Sequence, residues 1–200
     1  MPTSHSAPAA LHTLCRLGAA AVLVWGATLA ASPPAHAVPS DPVPVCDGKA
    51  ATIVSDAPVV SGTDGDDVIV TGDGNHDVLA GGGDDTVCTG AGDDTLSGGD
   101  GDDELFGGDG RDSLHGQGGD DIVRGEGGDD FAVDGGPGTD LVDAGPGADG
   151  ARGGPGDDEL RGGPGDDRLD GGPGTDVIDG GDDTDVCVNG ETVSNCESTG

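Results

Sequence analysis

The chain has no tyrosine, two phenylalanines and one tryptophan among 200 residues, and only seven Lys and Arg against 40 Asp and Glu. So few large apolar side chains rule out a conventional domain with a thick core, and with a formal charge of −33 the composition alone reads as a disordered acidic tract. The shortage of positive charge argues against nucleic acid or an anionic membrane as partner, and points to a cation instead. No HExxH and no GxSxG occurs, and past residue 37 the only histidines are His76 and His115, so no enzyme is expected. CxxC is also absent, and neither histidine lies at ligand spacing from a cysteine pair, which disfavours zinc.

What the chain has in abundance is glycine, 43 residues, and aspartate at a regular interval. Asp67, Asp77, Asp85, Asp94, Asp103, Asp112, Asp121, Asp130, Asp140, Asp149, Asp158, Asp167, Asp176 and Asp185 are nine residues apart, apart from a ten-then-eight slip around Asp77 and one added residue between Asp130 and Asp140. Two places after each stands an apolar or small residue: Ile69, Leu79, Val87, Leu96, Leu105, Leu114, Val123, Ala132, Val142, Ala151, Leu160, Leu169, Ile178 and Cys187. Disorder does not require an apolar residue at every ninth place. A joint period in charge and hydrophobicity marks a repeat architecture.

The unit reads Gly-Gly-x-Gly-x-Asp-x-apolar-x, carried cleanly by Gly98 to Phe106, Gly153 to Arg161 and Gly162 to Asp170. It resembles the RTX, or haemolysin-type, calcium-binding repeat over residues 62–188. Each unit divides into a six-residue bend and a three-residue strand, so two units, eighteen residues, complete a coil. Pro137, Pro146, Pro155, Pro164 and Pro173 take the third place, where a turn tolerates them. Fourteen units predict an all-β, right-handed parallel β-roll of about seven coils, the fold that the resemblance also implies. Aspartates two units apart, such as Asp94 and Asp112, then stack at about 4.8 Å. At an effective dielectric of about 20, such a pair repels by roughly 3 to 4 kcal/mol.

The resemblance implies Ca²⁺ between bends of units i and i+2, held by the sixth-place aspartate of each unit and by main-chain oxygens. The metal set is therefore the fourteen aspartates above, with up to about twelve ions, enough to bring the charge of the processed chain to about −10. The fifth place varies among Asp66, Asn75, Arg111, Thr139, Ala148 and Thr175, so acids there are expected to add only outer charge. His76 reads as an insertion, Gly82-Gly83 as a bend with a residue missing, and Asp183 as a substitute for the fourth-place glycine. A bulge or a break in ion occupancy is expected near residues 130–150, where Ala132 and Ala151 are small and an extra residue falls at Asp134.

Residues 1–37 read as a signal peptide: Arg16, the apolar run Leu17–Ala31 and a small-residue cut after Ala37. The run is shorter than the roughly 20 residues that span a bilayer, so no membrane insertion is expected after processing. The processed chain keeps six basic residues and all 40 acids, a charge of −34. Residues 38–61 form a cap or linker and residues 189–200 a second cap. Four cysteines remain, and proximity pairs Cys46 with Cys88 and Cys187 with Cys196, although other connectivities are open. The expected protein is secreted and extracellular and folds as Ca²⁺ binds, with retention on the envelope undecided. Service as a Ca²⁺-dependent adhesin or envelope-structural element, descent from an RTX enzyme or toxin, and simple calcium buffering remain alternatives.

Overall fold

The computed structural model describes residues 44–199, so the expected signal peptide and the start of the expected N-terminal cap lie outside the described residues. The described residues contain no helix. The chain enters through a small antiparallel pair, β1 (Val45–Cys46) and β2 (Lys49–Ala50). It then alternates between two parallel nine-stranded sheets. One holds β3 (Ile53–Val54), β5 (Val68–Val70), β7 (Thr86–Cys88), β9 (Glu104–Asp109), β11 (Ile122–Gly127), β13 (Leu141–Asp143), β15 (Glu159–Pro164), β17 (Val177–Asp182) and β19 (Thr192–Ser194). The other holds β4 (Val59–Ser61), β6 (Asp77–Gly82), β8 (Thr95–Asp100), β10 (Ser113–Gly118), β12 (Ala132–Asp134), β14 (Gly150–Arg152), β16 (Arg168–Asp170), β18 (Val186–Val188) and β20 (Ser198–Thr199).

Each sheet thus takes seven strands from the repeats and one from a cap at either end, a parallel β-solenoid of about eight turns. The coil is eighteen residues long, as Leu96 paired with Leu114 and Leu160 with Ile178 show. The pleat turns every eighth-place side chain inward. Ile69, Val87, Leu96, Leu105, Leu114, Val123, Val142, Leu160, Leu169, Ile178 and Cys187 are fully buried in one continuous core. Seven strands run to six residues, since the ladder continues through the first half of the bend, as in Gly81 paired with Gly99. Pro137, Pro146, Pro155 and Pro173 follow three-residue strands, whereas Pro164, in the same place, ends the six-residue β15 and pairs with Asp182.

The register differs from the sequence expectation at two places. At the first, Val78 and not Leu79 is buried, Leu79 is 49 % exposed, and His76 takes the sixth place, while Asp77 lies exposed at the start of β6. The nine-residue period is therefore unbroken there: His76 is no insertion, and Gly82-Gly83 lacks no residue. At the second, Val133 replaces Ala132 in the core and pairs with Leu114, so the added residue falls at Phe131 to Ala132, ahead of Asp134. Phe131 is pushed outward, 57 % exposed, with the Arg111 guanidinium 5.1 Å from its ring centre. A bulge absorbed on the outer surface leaves the inner register intact.

Both ends carry a disulfide, Cys46–Cys88 and Cys187–Cys196, the pairs that proximity suggested. The first ties β1 to β7, and beside it Lys49 Nζ donates to Thr86 Oγ1 at 2.8 Å and meets Glu104 Oε2 at 3.0 Å. Among the described residues no helix is long and apolar enough to cross a membrane.

Candidate metal centre

The sixth-place aspartates form two lines, one along each edge of the solenoid where the bends lie. Each backbone N–H in a line donates to Oδ1 of the aspartate one coil later: Asp94 to Asp112, Asp103 to Asp121, Asp112 to Asp130 and Asp158 to Asp176, at 2.8 to 3.0 Å. The line passes the bulge unbroken, with Asp121 N–H to Asp140 and Asp130 N–H to Asp149 at 2.8 and 2.7 Å. These aspartates are 0 to 4 % exposed from Asp85 to Asp185. Their second oxygens have no partner. Among the described residues, Oδ2 is buried and unpaired in Asp85, Asp94, Asp103, Asp112, Asp121, Asp130, Asp140, Asp149, Asp158, Asp167, Asp176 and Asp185, twelve in all.

Nine of these oxygens face a hollow that a first-place glycine keeps open. A methyl group built on Gly107 would stand 2.7 Å from Asp112 Oδ2 and 2.8 Å from the carbonyl oxygen of Gly125, one coil later. Gly98, Gly116, Gly125, Gly153 and Gly162 have the same two kinds of neighbour. A carboxylate oxygen and a carbonyl oxygen from successive coils therefore border one small space. Where the first place is Ala80, Thr89 or Ala144, a side chain already stands in that position.

Burial pushes these carboxyls upward. Asp103 and Asp112 are raised to about 7, first by loss of water, against the pull of a backbone donor, and then by the neighbouring carboxylates of the same line. Asp140 and Asp149 are also raised to about 7, and Asp121 and Asp167 to about 6, with burial again the main cause. A buried carboxylate lacking a counter-charge is costly, and a proton or a metal ion relieves it.

The donor set fits a hard dication. No three His, Cys, Asp or Glu side chains converge among the described residues, which does not suit zinc. Carboxylate and backbone carbonyl oxygens together, in forgiving geometry, suit Ca²⁺.

A family model for the RTX calcium-binding nonapeptide repeat matches the chain in four copies, at residues 61–96, 97–132, 133–151 and 152–187. The chain belongs to the RTX calcium-binding repeat family. RTX nonapeptides bind calcium ions, and the roll they form is a structural repeat and not a catalytic one. Neither the curated proteins nor the solved structures contain a match.

Two of the RTX roll's fourteen expected positions, Asp77 and Asp67, lack the free buried oxygen. Asp77 is out of line altogether. Asp67 is in line but fully engaged: Thr63 N–H and Oγ1 both donate to Oδ2 at 2.8 Å, and Thr52 Oγ1 donates to Oδ1 at 3.0 Å. Burial alone would raise its pKa, but these donors outweigh it and hold the carboxyl below the usual range. The slot expected for Asp77 is filled by His76. One coil earlier the register puts Pro58 in the sixth place, which has no N–H to offer a carboxylate, and Ala57 presents its carbonyl. Nδ1 of His76 donates to that carbonyl at 2.9 Å, which an aspartate could not do.

The fifth-place acids also have a part that the sequence did not reveal. Oδ1 of Asp66 accepts from Asp84 N–H, Asp84 from Asp102 and Asp102 from Asp120, at 3.1, 3.1 and 2.8 Å. They staple coil to coil, beyond adding charge.

Proposed function

We propose that this RTX protein is exported, that it binds Ca²⁺ between successive bends, and that binding drives its folding. The observation that carries this reading is the line of twelve buried, unpaired Oδ2 atoms. Asp103, Asp112, Asp121, Asp130, Asp140, Asp158, Asp167, Asp176 and Asp185, which face glycine-lined hollows, are the carboxylate ligands, with the first-place carbonyls of the following coil as main-chain ligands, whereas Ala80, Thr89 and Ala144 fill that space beside Asp85, Asp94 and Asp149. The ion supplies the positive charge that each hollow lacks, while the chain supplies a preset spacing and excludes water.

Without the ion, each coil places a charge about 4.8 Å from the next. A chain so rich in glycine also has much backbone entropy to lose. Folding is therefore linked to the metal, and extracellular modules of this kind operate at about 10⁻⁴ to 10⁻³ M Ca²⁺. Four cysteines in two disulfides support an oxidising, exported setting, and the repeat is typical of secreted proteins. No catalytic role is proposed, since the roll is a structural repeat.

Far-UV circular dichroism of residues 38–200 tests the reading. A coil-like spectrum in EDTA that turns to β on adding millimolar Ca²⁺ supports it, and spectra that do not change refute it.

A further inference from the structure

The RTX match stops at residue 187, yet the bends at Asp176 and Asp185 are built like those before them. Both aspartates are 0 % exposed and both have a buried Oδ2 with no partner. A following coil should close each hollow, but residues 188–200 do not carry the nonapeptide pattern. Two copies of a shorter motif stand there instead: Asn189-Gly190-Glu191 and Asn195-Cys196-Glu197.

The copies behave alike. Val177 pairs with Thr192 and Val186 with Ser198, which puts Glu191 and Glu197 in the sixth place of a next coil. Asp176 N–H donates to Glu191 Oε2 at 2.6 Å, and Asp185 N–H to Glu197 Oε2 at 2.5 Å, the bond that internal coils make to an aspartate. A methyl group on Gly171 would fall between Asp176 Oδ2 and the Asn189 carbonyl, and one on Gly180 between Asp185 Oδ2 and the Asn195 carbonyl. These carbonyls occupy the first place of the missing coil.

The local chemistry explains the shortening. Internal bends need five residues from the first-place carbonyl to the carboxylate, whereas here there are two. Asn189 and Asn195 adopt φ of 54° and 52°, a left-handed conformation that asparagine tolerates best after glycine. Their side-chain amides anchor the turns on Asp170 Oδ1 at 2.7 Å and Asp179 Oδ1 at 2.6 Å. Glutamate, one methylene longer than aspartate, then reaches back across the shortened turn.

We infer that the Asn-x-Glu pair is a metal-binding cap: Asn189 and Glu191 complete a calcium position with Asp176, and Asn195 and Glu197 complete another with Asp185. The inference rests on the calcium reading above and extends it past the repeat. Each glutamate also brings a second negative charge beside an aspartate that already lacks a partner, so both bends need a cation. The Cys187–Cys196 disulfide holds the second turn against the roll.

Calorimetric titration of the oxidised residues 38–200 with CaCl₂ tests this, using the parent chain, Glu191→Gln, Glu197→Gln, the double variant and, as control, Glu159→Gln on an exposed strand. One ion fewer in each single variant and two fewer in the double, with the control unchanged, supports the cap. Unchanged stoichiometry in the double variant overturns it while leaving the calcium reading intact. A parent chain that takes up no Ca²⁺ overturns both. If the double variant does not fold, crystals of the parent chain in Ca²⁺ decide: anomalous peaks on Asp176 Oδ2 and Asp185 Oδ2 support the cap, and their absence there overturns it.

Discussion

Replacing Gly107 with alanine separates the hollow from the fold around it. Gly107 has no left-handed φ, so alanine costs no backbone strain there. Its new methyl would stand 2.7 Å from Asp112 Oδ2 and 2.8 Å from the Gly125 carbonyl, well inside the 3.4 Å of an ordinary contact. The solenoid already carries a methyl at this place in Ala80 and Ala144, so the coil can absorb it by small shifts. A calcium ion bound to those same two oxygens cannot share the space. At a free Ca²⁺ concentration 100 times the site's Kd, one lost site removes about 2.7 kcal/mol of stability. Thermal unfolding in Ca²⁺ and calorimetric stoichiometry should thus report one missing ion and a lower midpoint. Gly108→Ala is the contrasting variant. At φ 96° its methyl would strike the Gly90 carbonyl, so it should damage the fold itself. A Gly107→Ala protein with full stoichiometry and an unshifted midpoint would refute the reasoning.

The remaining predictions concern charge, register and cross-links. Asp103, Asp112, Asp140 and Asp149 titrate near 7 in the fold against 3.8 for the free group, so between these values the folded state holds more protons than the unfolded one. The metal-free fold should gain stability as pH falls from 7 toward 4 while Ca²⁺ affinity weakens, and dichroism in EDTA that shows structure being lost over that range would contradict this. Asp112→Asn should lose one ion, whereas Asp77→Asn, on an exposed strand, should change stability by less than about 0.5 kcal/mol in the same titration. Opening Cys46–Cys88, which closes 42 residues, should cost about 4 kcal/mol by chain entropy, and opening Cys187–Cys196, which closes nine, about 2.5 kcal/mol. Denaturant unfolding of the paired Cys→Ser variants in Ca²⁺ checks the order of the two losses.

Much of the architecture was legible in advance because one period governs both charge and hydrophobicity. The eighteen-residue coil, the inward eighth place and the stacking of Asp94 on Asp112 all follow from that period. The errors arose where identity was a poor guide to place. At His76-Asp77 an aspartate stands next to the true slot, and Val78 and Leu79 are equally apolar, so neither signal could fix the register. Only the carbonyl that Ala57 presents, in a cap with no repeat, shows why histidine belongs there. At Phe131-Ala132-Val133 three apolar residues hid which one was added. The N-terminal cap satisfies Asp67 with Thr52 and Thr63 hydroxyls, a pairing without periodic signature. The doubled Asn-x-Glu at the other end was visible in the sequence, but it means little until the register puts both glutamates in the sixth place.

Small-angle X-ray scattering of the oxidised residues 38–200, in EDTA and in Ca²⁺ at neutral pH, tests most directly whether the buried carboxylates need a dication. A radius of gyration near 15 Å with Ca²⁺ that grows toward roughly 40 Å after chelation is the predicted result. A chelated chain that stays as compact as the calcium-loaded one would contradict the account.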